Sequence, residues 1–74
     1  MNRVPVKSSN VASVGYDEAT TTLEVEYKNN AIYQYFLVPA RTYEELISVS
    51  LNGQSVGRYL DKNIKRVGYR YVKI

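Results

Sequence analysis

The hexapeptide Leu23-Glu24-Val25-Glu26-Tyr27-Lys28 alternates apolar and charged side chains without a break. Side chains point to opposite sides in turn only when the chain is extended, so this stretch reads as a strand with one face on a core and one in water. Before it, Val11 to Tyr16 is a second apolar segment, and Asp17-Glu18-Ala19-Thr20-Thr21-Thr22 is a turn-rich link between the two. After it, Asn29-Asn30 marks a hairpin, because Asn tolerates positive φ, and Ala31 to Val38 forms a third strand.

Hairpin register decides where the next tyrosines face. A two-residue Asn29-Asn30 loop pairs Tyr27 with Ile32 and Val25 with Gln34, and it sets Tyr33 and Tyr35 opposite the glutamates. A three-residue loop through Ala31 pairs Tyr27 with Tyr33, Val25 with Tyr35 and Leu23 with Leu37. The second register is preferred, since it gathers aromatic and aliphatic groups on one face and keeps Gln34 out of the core. It requires Ala31 to take a left-handed conformation better suited to Gly or Asn.

Pro39 stops the sheet, and Ala40 or Thr42 opens a helix with Tyr43, Leu46, Ile47 and Ser50 on one face. Glu44 and Glu45 in its first turn suit the positive end of the helix dipole. The run Leu51-Asn52-Gly53-Gln54 breaks that helix, and Ser55 caps a second one reaching about Arg66. Its inward side is Val56, Leu60, Asn63, Ile64 and Val67, and Arg58, Lys62, Lys65 and Arg66 lie along another face. Gly68 ends it, and Tyr69 to Ile74 reads as a final strand. The expected architecture is α+β, an antiparallel β-meander of three strands followed by two helices and a short C-terminal strand. Residues 1–74 make a single domain, with helices laid on one face of the sheet.

Composition removes whole classes of chemistry. With no Cys there is no disulfide, zinc finger or thiol nucleophile, and with no His there is neither the usual neutral-pH base nor the commonest metal ligand. No apolar run approaches the ~20 residues that cross a bilayer, and Met1 to Ser9 lacks the hydrophobic segment of a signal peptide. The expected setting is therefore cytoplasmic, without a membrane partner. Glu24 and Glu26 read as solvent-facing charge alternation, and Asp17-Glu18 as turn chemistry. No metal or cofactor set is evident, and the expectation is a protein that is not an enzyme.

Charge is distributed unevenly. Residues 1–57 carry four basic and six acidic groups, net −2, whereas residues 58–74 carry six basic groups against Asp61 alone, net +5. Such a tail creates a local positive potential suited to an anion. Tyrosine is the other unusual component, eight of nine aromatics. Tyr16, Tyr27 and Tyr43 read as core packing, while Tyr33 and Tyr35 suit either cross-strand packing or a stacking platform. In the tail, cationic and aromatic groups interleave at Arg58-Tyr59, Lys62, Arg66 and Tyr69-Arg70-Tyr71. Guanidinium forks hold phosphate and neighbouring phenol rings stack on bases, so these residues with Tyr33 and Tyr35 form the candidate binding set.

Around the central Tyr33-Gln34-Tyr35 and Val38-Pro39, the chain resembles the KTSC domain family, short domains found alone in bacteria and phages and at the C-terminus of some lysyl-tRNA synthetases. Val6-Lys7-Ser8-Ser9 and Val14-Gly15-Tyr16-Asp17 are similar to its opening pattern, and Tyr43 falls where the family has a helical Tyr. Ser55, Gly57, Tyr59, Leu60 and Ile64-Lys65 resemble its S-x-G-x-Y-[FL]-N-x-x-I-K stretch, and Tyr69-Arg70-Tyr71 its closing tyrosines. The chain departs at Asp61, where Asn is common, at Asn30-Ala31, where glycines are common, and at Leu51 to Gln54, which looks inserted. The resemblance implies fold and length, and an RNA-binding role that has been considered for the family.

Three functional expectations follow. The first is a small homo-oligomer that holds a phosphorylated nucleotide without turning it over. A drug-sized pocket of ~300–1,000 Å³ is hard to enclose in one chain this small, so its walls would come from two subunits. The second is a binder of RNA or single-stranded nucleic acid, and the third a protein-interaction module meeting a partner through its tyrosines. The modest tail charge, diluted by Asp61, favours the nucleotide over a long polyanion.

Overall fold

In the computed structural model, which describes residues 1–74, the alternating hexapeptide lies in a central strand of a five-stranded sheet. The strands are β1 (Arg3–Pro5), β2 (Val11–Asp17), β3 (Thr22–Tyr27), β4 (Ile32–Tyr35) and β5 (Tyr71–Lys73). They run antiparallel in spatial order β1-β2-β3-β4-β5, and the helical segment lies between β4 and β5. The α+β class is as expected, and the meander of β2, β3 and β4 is present. The first strand is an addition: Arg3, Val4 and Pro5 pair with Gly15, Val14 and Ser13. Three residues ending in Pro carry too little alternation to announce a strand, and it is the edge of β2 that recruits them.

The β3–β4 hairpin keeps the preferred facing but not the preferred partners. Leu23 pairs with Tyr35 and Val25 with Tyr33, a shift of two residues, while Tyr27 N–H donates to Ala31 O at 2.8 Å. A two-residue shift preserves which side chains share a face. The turn is Lys28-Asn29-Asn30, and Asn30 (φ +72°), not Ala31, takes the left-handed conformation, as its short polar side chain allows. Leu37, expected opposite Leu23, is 78% exposed at φ +59°, because the strand stops at Tyr35 and the chain turns so that Val38 enters the core instead.

Helix α1 spans Ala40–Leu51 behind Pro39. It begins early enough that Glu44 and Glu45 fall beyond its first turn, so the expected dipole pairing is absent. Ser55 caps α2 (Val56–Leu60), its hydroxyl accepting from Arg58 N–H at 3.2 Å. The helix then widens into a π-helical turn, Asp61–Lys65, closed by Arg66 N–H on Asp61 O at 3.1 Å. Val67, expected inward, is exposed because the helix ends before it, and Gly68 at φ +90° turns the chain back toward the sheet.

One sheet face receives the helices. Val11, Val14, Leu23, Val25, Val38, Leu46, Val56, Leu60 and Ile64 are fully or nearly fully enclosed there, and Tyr16 stacks on Tyr43 with centroids 5.3 Å apart. The opposite face carries a cross-strand row of Arg3, Gly15, Glu24, Gln34 and Val72. Gly15 is required there, since a Cβ would lie 2.5 Å from Asn2 O. Glu24, expected in solvent, is only 5% exposed, because the Arg3 guanidinium and the Gln34 amide (Nε2 to Oε1, 2.8 Å) close over it. Burial alone would raise its pKa, but these hydrogen bonds outweigh that and hold it below the usual carboxylate range.

Candidate functional site

Along the helix-facing side of the sheet, two cross-strand rows pass from aliphatic residues on β3 to tyrosines on β4. One row reads Val14, Val25, Tyr33, Lys73, and the next Tyr16, Leu23, Tyr35, Tyr71. The helices cover the β2–β3 end, while the β4–β5 end is left open as a cleft of about 500 Å³. The π-helical turn supplies Ile64 and Lys65 on one side of it, and the turn at Gly68 brings in Tyr69.

Five tyrosines line it, and the rings of four of them pack on one another. Tyr33 lies nearly parallel to Tyr35 (6.3 Å between centroids, 19°), Tyr71 tilts against both at 5.9 and 5.7 Å, and Tyr27 meets Tyr33 edge-on at 5.7 Å. Offset and edge-on geometries are those that aromatic quadrupoles favour. Tyr35 is the floor, 5% exposed, with its hydroxyl 3.4 Å from that of Tyr27. Burial, reinforced by that hydrogen bond, pushes its pKa well above the usual phenol value. Tyr71 is the rim, 58% exposed. Lys65 Nζ sits 5.3 Å from the centroid of the Tyr27 ring, and Lys73 stands beside Tyr33 in the lining. No carboxylate lines the cleft. Aromatic faces beside two ammonium groups suit a planar ring that bears negative charge.

The nine residues singled out from the sequence do not form one cluster. Tyr33, Tyr35, Tyr69 and Tyr71 meet in the cleft. Arg58, Lys62 and Arg66 line a separate shallow depression on the helical surface, where Arg66 pairs with Asp61 at 3.1 Å. Arg70 alternates away from Tyr71 and lines a third, open hollow on the opposite sheet face with Gln34 and Phe36. Tyr59 ties the helices, its hydroxyl 2.6 Å from Glu45 Oε1 and 3.2 Å from Thr42 O. Burial first, then the hydrogen bond to Glu45, raises the pKa of that phenol.

Three aromatic or charged residues of the cleft lay outside the set chosen from sequence: Tyr27, Lys65 and Lys73. Tyr27 could have been found, since the alternation already set it on the face of Tyr33 and Tyr35 at the last position of its strand. Lys65 could not, because its direction depends on the π-helical turn, which leaves no sequence signature.

A five-stranded meander with its helices inserted before the last strand, carrying a tyrosine cleft at that strand, defines a small α+β domain class. The KTSC domain model matches residues 7–71, and the chain belongs to that family. It is 36% identical to a KTSC domain protein from Yersinia pestis known from a crystal structure, with a TM-score of 0.87 over 99% of this chain and 96% of that one. An uncharacterized protein of Stutzerimonas stutzeri is 38% identical over 74 residues, covering 100% of this chain and 99% of its own length. A lysine–tRNA ligase from a Nostoc species is 37% identical over 59 residues, which span 80% of this chain and 10% of the ligase.

Proposed function

We propose that this chain is a non-catalytic cytoplasmic binding protein, a small homo-oligomer that holds a phosphorylated nucleotide-type ligand in the tyrosine cleft. The observation that carries the reading is the combination of stacked phenols with Lys65 and Lys73, free of carboxylates, in about 500 Å³. The base lies on Tyr33 and Tyr71, and the phosphate meets the ammonium groups. Of the residues chosen from the sequence, the reading keeps Tyr33, Tyr35, Tyr69 and Tyr71 and sets Arg58, Tyr59, Lys62, Arg66 and Arg70 outside the contact.

A thermal-shift series on the full chain with mononucleotides and cyclic or linked dinucleotides tests it. A ligand at 100 times its Kd adds about 2.7 kcal/mol, which for a domain of this size raises Tm by on the order of 10 °C. Tyr33→Ala and Lys65→Ala abolish the shift, and Arg58→Ala leaves it intact. The absence of a shift with every such ligand overturns the reading. The likeness to part of a lysine–tRNA ligase favours RNA as a second reading. It expects stabilisation by short single-stranded RNA only, with a log-log salt slope of about −0.7 per phosphate contacted.

A further inference from the structure

The two edges of the sheet are chemically unlike. On β5, Phe36 N–H donates to Arg70 O and Ile74 N–H donates to Ile32 O, both at 2.8 Å. Antiparallel ladders alternate, so Arg70, Val72 and Ile74 turn their backbone groups toward β4 while Tyr71 and Lys73 turn theirs outward. The outer edge of β5 therefore presents two N–H and two C=O groups that no strand pairs. On β1, Val6 N–H donates to Ala12 O at 3.2 Å, so Val4 faces β2, and Arg3 and Pro5 face out. Pro5 has no N–H to offer, a common guard on an edge strand. Apolar groups lie exposed along the unguarded strand, Tyr71, Val72 and Ile74 at 58%, 44% and 67%, while β1 exposes Val4 at 44% beside its proline.

We propose that two copies of this chain pair antiparallel through their β5 edges, about a two-fold axis passing through Val72. In that register Tyr71 of one copy lies opposite Lys73 of the other. Each such pair exchanges both backbone hydrogen bonds, so every outward group on both strands is satisfied. The side chains favour the same choice. Centring the axis on Lys73 would oppose two ammonium groups, whereas centring it on Val72 sets each ammonium against a phenol ring and brings two valines together on the opposite face.

Residues directly opposite in a sheet share a face, so the row Leu23, Tyr35, Tyr71 continues into Lys73 and Tyr33 of the second copy. Each cleft is open toward β5, and each gains the other copy's Lys73 at that side. The pairing rests on the edge alone; the service of that lysine to a bound phosphate rests on the function proposed above. Three-residue strands bury little area, so the dimer is weak, forming at about 0.1–1 mM chain, and a ligand touching both copies tightens it.

Sedimentation equilibrium of the full chain over that range tests the pairing. The mass rises toward twice 8.5 kDa, and Lys73→Pro, which deletes an outward N–H and leaves the β4 ladder whole, holds it at 8.5 kDa. Cysteine cross-linking gives an independent readout, since the chain has no Cys of its own. Val72→Cys puts one thiol on the axis, at a pair with Cα atoms about 4.5 Å apart, and oxidises to a covalent dimer. Val4→Cys on β1, where the valine is equally 44% exposed, stays largely monomeric under the same oxidant. A wild type that remains monomeric, or equal cross-linking of the two cysteines, overturns the pairing. A monomer that still gains Tm with a nucleotide loses the dimer and keeps the ligand site, while a dimer indifferent to every nucleotide does the opposite.

Discussion

The helix-facing side of the sheet differs between its two ends. On β2 and β3, Val14, Leu23 and Val25 have no exposed surface, and α1 and α2 close over them. On β4 and β5, the same rows continue as Tyr35, Tyr33 and Tyr71, with exposure rising to 58% at the rim. Aliphatic groups stabilise by leaving water entirely, whereas a phenol keeps a polar tip and a stackable face and so tolerates a half-covered position. One end of the surface accordingly holds the fold together and the other is available to a guest. From β3 to β5 the rows change from aliphatic to aromatic as helix cover ends, while Tyr16 on β2 lies under Tyr43 of α1.

The largest effect expected from breaking the covered end is that of Leu23→Ala. Leu23 is fully enclosed, so the deletion leaves a cavity and lowers stability by about 2–5 kcal/mol in urea unfolding. A loss below ~1 kcal/mol would mean that the helices do not seal this end, and the contrast would fail.

Acid and alkaline pH test different parts of the molecule, the Arg3–Glu24–Gln34 cluster on the far face of the sheet and the buried phenols of the cleft floor and the helices. Glu24 has a depressed pKa in the folded chain, so the unfolded chain takes up its proton first as pH falls. Its contribution is complete above about 4.5 and is lost progressively below. Tyr35 and Tyr59 have raised pKa values, so above about pH 10 the unfolded chain ionises while the folded one stays protonated, and stability falls as pH rises. Tm plotted against pH should therefore decline at both limits, and Tyr35→Phe should flatten the alkaline side. An unchanged alkaline limb in that variant would show that Tyr35 is not the enclosed floor of the cleft.

The smallest effect belongs to the helical surface. Arg66 and Asp61 are well exposed, and such pairs contribute little, so Arg58→Ala and Arg66→Ala should each change stability by less than about 0.5 kcal/mol and leave nucleotide binding unaltered. A tenfold loss of ligand affinity in either would move the site from the cleft to the depression around Asp61.

The meander strands and the helices were legible because their signals are local, whereas β1, three residues ending in Pro5, was not. The alternation of Leu23 to Lys28 required a strand, Ser55 required a helix start, and the alternation of Tyr33 and Tyr35 set them on the face of Leu23, Val25 and Tyr27, though with partners two residues out of register. The site was only half legible. Sequence neighbours such as Tyr69-Arg70-Tyr71 look like one cluster, but strand alternation sends Arg70 through to the other face of the sheet. Charge density along the chain likewise pointed to Arg58, Lys62 and Arg66, which a helix turns away from the sheet, while Lys65 reaches the cleft through a π-helical turn. Arg3, near the start of the chain, covers Glu24, a contact between residues 21 positions apart that no local pattern announces.

Pro5 bears on how far assembly can run. A ribbon that accepts a neighbour along one margin only stops growing once that margin is taken, because the pair then shows a proline-blunted border on both outer sides. Replacing that single ring with a residue that retains its amide hydrogen would open the second border, and with it a route from a closed pair to an endless fibril.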